Sequence, residues 1–146
     1  MRKPLCYSRG HFLPMQDATI SVNDLGVQRG YGIFDFLRVS GNIPLFIEDH
    51  LDRFYHSANV MGLKFPQSRQ EIKDIVHQLI NENDLPDSGV KILLTGGESP
   101  DGYQILEPML TIIQQLIKSH PDKMNIRGIH LLTHSFQRQL PEVKTT

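Results

Sequence analysis

The order of elements in this chain predicts an α+β fold: a small antiparallel sheet with two helices on one face. Three patterns carry that expectation. Residues 33–39 and 43–46 read as apolar strands joined by Ser40-Gly41-Asn42, a short glycine-containing hairpin connection. The period then lengthens to helical spacing twice, first at Leu51, Phe54, Tyr55 and Ala58, then at Ile72, Ile75, Val76, Leu79 and Ile80. Strand character returns at Val90, Ile92 and Leu94, and again over residues 109–117.

The remaining elements follow in chain order. Residues 5–13 form a hairpin around Ser8-Arg9-Gly10, and residues 18–22 a further short strand ending at Asn23-Asp24. Gly26, Gly30 and Gly32 punctuate a stretch with no regular period, which reads as a glycine-hinged loop. Asp49, His50, Asp52, Arg53 and His56 give the first long helix a dense polar face, and Gly62 closes it. Ser68 with Glu71 is a capping box that opens the second, and residues 81–86 end it. Gly96-Gly97 leads into a loop over residues 98–103. Residues 119–123 are short, polar and proline-containing, the expected linker between a small domain over residues 1–118 and the start of a second domain over residues 124–146. Within that second part, residues 126–136 read as a strand and residues 137–146 as an irregular tail.

Composition narrows the function classes. With 146 residues, 39% hydrophobic and 21% charged, the chain can build a real core. A net charge of -1 and the absence of any Lys/Arg run leave no electrostatic footprint for nucleic acid or a membrane surface. Cys6 is alone, and neither a signal core nor a spanning segment is visible, so the expectation is a cytoplasmic protein. Seven histidines invite a metal site, but none form HExxH. His130 and His134 fall in the predicted strand roughly 13 Å apart, and His50 and His56 are six residues apart on a helix. No metal is expected. Neither a Gly-x-Ser-x-Gly elbow nor a well-placed cysteine supports nucleophilic hydrolysis.

The run Asn23-Asp24, Gln28-Arg29-Gly30-Tyr31-Gly32-Ile33-Phe34-Asp35, Arg38, and Asp49-His50-Leu51-Asp52-Arg53-Phe54 with Ser57-Ala58 closely resembles the amino-terminal part of class IV (fold type IV) pyridoxal-phosphate aminotransferases. The tail Arg138-Gln139-Leu140-Pro141-Glu142-Val143-Lys144-Thr145-Thr146 is similar to the family segment that carries the cofactor lysine. The family holds branched-chain and D-amino-acid aminotransferases and aminodeoxychorismate lyases, so membership alone leaves the reaction open. The resemblance implies pyridoxal 5'-phosphate as cofactor, with Lys144 forming the Schiff base and acting as the catalytic amine. It also implies that Arg53 grips the cofactor phosphate, with His50 and Asp52 orienting that arginine or its helix. Without the family context, Lys144 reads as a solvated lysine and Arg53 as a helix-face partner of Asp49.

For the substrate, Phe34 matches the family's aromatic wall, and Arg29 and Arg38 are candidates to meet a carboxylate. D-amino-acid members use an Arg-x-His carboxylate trap, and the matching residues here are Asp101-Gly102-Tyr103, where an acidic group repels a carboxylate. The expected reaction is therefore transfer of an amino group between a branched-chain-type amino acid and a 2-oxo acid. Alternatives are aminodeoxychorismate lyase activity or a cofactor-free interaction module. The resemblance further implies a homodimer or higher homo-oligomer, with residues 28–34 and 96–103 approaching a neighbouring subunit. Family members continue past the lysine and there supply further cofactor contacts, so the chain as given is expected to hold the cofactor weakly or not at all and to be catalytically inert.

Overall fold

A computed structural model describes residues 3–117, 128, 130–138 and 140–146. The expected α+β fold is present as a six-stranded sheet in the order β2-β1-β6-β5-β3-β4. Its strands are β1 (Leu5–Ser8), β2 (His11–Pro14), β3 (Gly32–Ser40), β4 (Ile43–Pro44), β5 (Ser88–Thr95) and β6 (Met109–Leu116). Every pairing is antiparallel. The three helices are α1 (Leu25–Arg29), α2 (Ile47–Val60) and α3 (Arg69–Asn83).

The core is the seam between the two long helices and the sheet. Leu51, Phe54 and Ala58 of α2, with Ile72, Val76, Leu79 and Ile80 of α3, are buried against Ile33, Leu37, Val39, Val90, Ile92, Leu94 and Ile112. Full burial of each such side chain is worth about 1.5–3 kcal/mol, so this seam dominates stability. The capping box forms as the sequence predicts: Ser68 Oγ accepts the Glu71 N–H while the Glu71 carboxylate accepts the Ser68 N–H at 2.7 Å. Asn83, at the far end of α3, bonds both the N–H and the C=O of Leu5, which ties the helix to the start of β1.

Four sequence expectations are corrected. The glycine-hinged loop is not irregular, because residues Leu25–Arg29 form a helical turn. Asp24, fully buried, caps it through the Gly26 N–H at 2.6 Å and accepts the Thr95 hydroxyl at 2.7 Å, and Gly30 closes it at φ 63°, a conformation that suits glycine. Residues 18–22 are not a strand: they connect the β2 edge to α1 near the opposite side of the sheet, leaving Val22 exposed. The return strand of the hairpin stops at Pro44, because Phe46 takes a left-handed φ of 52° and turns the chain directly into α2. The strand expected over residues 126–136 is absent at its described residues, 128 and 130–136. The linker at residues 119–123 lies outside the described residues.

The tail finds a place on the sheet. Because β4 covers only Val39 and Ser40 of β3, the edge at Gly32 to Phe34 stays open, and the chain end occupies it. Thr145 bridges Ile33 in antiparallel fashion, the Phe34 N–H donates to the Lys144 C=O at 3.0 Å, and the Thr146 N–H donates to the Gly32 C=O at 3.1 Å. Val143 is fully buried in the core and anchors the segment.

Candidate active site

On β3 the side chains of Ile33, Leu37 and Val39 enter the core at alternate positions, and Asp35 falls in the same phase. A fully buried carboxylate there demands partners, and α2 supplies them. Arg53 grips it with two bonds, Nε to Oδ2 at 2.7 Å and Nη2 to Oδ1 at 2.8 Å. His50 Nδ1 lies 2.7 Å from the same Oδ1, and Lys144 Nζ lies 3.6 Å from it. Burial pushes the Asp35 carboxyl up, but the Arg53 and His50 hydrogen bonds, the Lys144 charge and the Phe36 N–H together outweigh it and hold the group below its usual range. The bond to Asp35 in turn raises Arg53 above its ordinary value.

This cluster can receive an anion. One carboxylate faces a guanidinium and an ammonium, so the fixed charges leave a cationic excess. Asp35 engages Nε and Nη2 of Arg53, while the side chain stays 47% exposed with donors to spare; Lys144 is 28% exposed. That donor set suits a phosphate dianion beside a reactive lysine, the chemistry pyridoxal phosphate needs.

Phe34, in the opposite β3 phase from Asp35, meets the cluster through Lys144. Its ring centroid lies 4.9 Å from Lys144 Nζ and 4.7 Å from Lys91 Nζ, two cations against one quadrupole. The other sequence-selected residues sit elsewhere. Arg29 donates through Nε to the Gly102 carbonyl and stacks 3.9 Å from the Tyr103 ring, so it clasps the loop after β5. Arg38 is exposed on the opposite face of β3 from Asp35. Asp52 pairs with Arg69 at 2.6 Å and joins α2 to α3, leaving His50 as the member of that pair that touches Arg53. Among the described residues no group of three or more His, Cys, Asp or Glu converges as a metal site.

Sequence reasoning gave no role to Asp35 or Lys91. Asp35 had a readable signal, an acid standing in the apolar phase of an otherwise alternating strand. Lys91 had none, because a lysine between Val90 and Ile92 is ordinary on a half-exposed strand.

The family model for class IV amino-transferases matches residues 32–146. The chain belongs to that family. Among the relatives of this class IV chain, a putative branched-chain-amino-acid aminotransferase of Methanocaldococcus jannaschii is 31% identical over 132 residues, covering 90% of this chain and 46% of that protein. A D-alanine aminotransferase of Staphylococcus epidermidis is 27% identical over 130 residues, covering 87% and 46%. The chain thus spans about half the length of the relatives it matches. In fold it is similar to the branched-chain amino acid aminotransferase of Escherichia coli, with a TM-score of 0.74 at 17% identity over 80% of this chain and 42% of that one. The branched-chain aminotransferase of the archaeon Thermoproteus uzoniensis, solved with norvaline, gives a TM-score of 0.70 at 20% identity over 78% and 41%. At these identities the structural likeness is one of fold. The class IV family is one of pyridoxal-phosphate-dependent enzymes, and its amino-terminal sheet is what this chain builds. Among the described residues no helix is long and apolar enough to cross a membrane.

Proposed function

We propose that this chain supplies the lysine, a phosphate-binding arginine and one wall of the substrate pocket of an aminotransferase that moves an amino group between a branched-chain-type amino acid and a 2-oxo acid. The observation that carries this reading is the convergence of Arg53 from α2 and Lys144 from the tail on one buried β3 carboxylate, Asp35, with the Phe34 ring against the Lys144 amine. Pyridoxal phosphate, when bound, supplies an aldehyde that amines attack and a ring that accepts the electron pair left behind at Cα. Arg53 directs its exposed donors to the phosphate, and Asp35 fixes the guanidinium plane so that those donors arrive oriented. Lys144 Nζ is the amine that holds the cofactor and then, freed by substrate, carries the proton from Cα. Phe34 shields that exchange from water on one side.

The loop after β5 supports an apolar substrate side chain. Asp101 Oδ1 accepts the Ser99 hydroxyl and the N–H groups of Tyr103 and Gln104, and Arg29 is held by Gly102 and Tyr103. The loop therefore offers the exposed Tyr103 ring and presents no free guanidinium of its own. Arg38 remains the candidate for contact with a substrate carboxylate from the outer face of β3. Residues 28–34 and the loop at residues 96–103 approach a neighbouring subunit in a homo-oligomer.

Binding of pyridoxal phosphate followed by absorbance tests the arginine assignment. Arg53→Ala should weaken binding by about 1.5–3 kcal/mol, the scale of a hydrogen bond to a charged group. Unchanged affinity would assign Arg53 to structure alone.

A further inference from the structure

Both polar groups of the Lys144 main chain are held by the small sheet and its helix. The carbonyl accepts the Phe34 N–H at 3.0 Å, and the Lys144 N–H donates to Ser57 Oγ at 3.3 Å. Ser57 is 1% exposed and lies on α2 one turn beyond Arg53. Positions 50, 53 and 57 fall on one face of the helix, so a single face addresses the Asp35 carboxylate twice and the lysine backbone once.

The hydroxyl calls for a reason. Between Phe54 and Ala58, both buried, alanine would pack as well and favour the helix more. What alanine cannot do is accept the Lys144 N–H, whose acceptor here is the Ser57 hydroxyl. We propose that Ser57 is a positioning residue that sets where the Lys144 amine stands relative to Arg53, acting through the lysine's backbone and touching neither cofactor nor substrate. The proposal rests on the assignment of Lys144 as the cofactor lysine. A lysine stem is flexible, so the amine is placed only as well as its Cα. Here the Cα is pinned by the β3 edge on one side and by α2 on the other. The helix that carries the phosphate-binding arginine thereby also fixes the origin of the lysine.

Two measurements on the 146-residue chain test this. In Ser57→Ala, amide hydrogen exchange at Lys144 should rise about three- to tenfold, the loss of one net hydrogen bond, with Ile92 and Leu94 unchanged. The rate at which pyridoxal phosphate and cyanoborohydride label Lys144 should fall by at least that factor, with the exposed Lys64 labelled as before, and Ser57→Thr should restore both. Unaltered exchange at Lys144, or faster exchange with unaltered labelling, would overturn the proposal. If Ser57→Ala also loses protection at Ile92 and Leu94, Ser57→Thr decides: labelling at the wild-type rate supports the role and slow labelling refutes it. A wild-type chain that shows no preference for Lys144 counts against the cofactor assignment instead, and the exchange comparison then judges the Ser57 contact by itself.

Discussion

Asp35 is the residue on which the candidate site turns. Its carboxylate has four close partners, and its removal leaves Arg53 and Lys144 partly exposed to water instead of stranded in the core. The cost of Asp35→Asn should therefore fall below the 3–5 kcal/mol of a fully buried broken pair, at about 1.5–3 kcal/mol. Because the folded-state carboxyl is held below its unfolded value of about 3.9, its stabilisation is complete well above that pH and is lost as pH falls through the folded value. Urea unfolding of wild type and Asp35→Asn should thus differ at pH 7, with the gap narrowing only as pH falls below about 3.9 towards the lower folded value. A gap that persists unchanged into strong acid would contradict the ion-pair role. The sequence pointed to Lys144 and Arg53 through their motif neighbours, and the structure brings the two side chains onto one carboxylate. Their meeting point was not legible there, because it depends on which β3 phase faces α2, and that follows from packing.

At the scale of elements, legibility tracked local chemistry. The Ser68 capping box, the apolar stripe of α3 and the alternation of β5 are written within a few residues of one another, and each formed where the sequence placed it. Ser68→Ala should cost about 1 kcal/mol in a thermal melt, and a neutral result would mean that α3 is held by its packing alone. The elements that departed from expectation depend on distant partners. Helix α1 exists because Asp24 is clamped by Thr95, 71 residues away, which no local period reports. Strand β4 is short because a left-handed Phe46 ends it, and the open edge that results is filled by the tail. Gly97 belongs to the same class: at φ 73°, with the Glu107 carbonyl occupying the place where a Cβ would stand, it admits no side chain.

For the whole molecule, the sheet works as a frame that brings residues more than a hundred positions apart into one cluster. The exposed Val22, Val27, Tyr103 and Leu106 lie on and beside the two segments proposed to meet a second copy. Sedimentation over a concentration series should show self-association, and a strictly monomeric chain at high concentration would remove that proposal. The assignment of the site itself rests on one lysine among seven. Reduction with borohydride in the presence of limiting pyridoxal phosphate, followed by peptide mapping, tests it most directly. The label should concentrate on Lys144, weaken in Arg53→Ala and vanish from that peptide in Lys144→Met; a label spread over the exposed lysines, with Lys144 unexceptional, would contradict it.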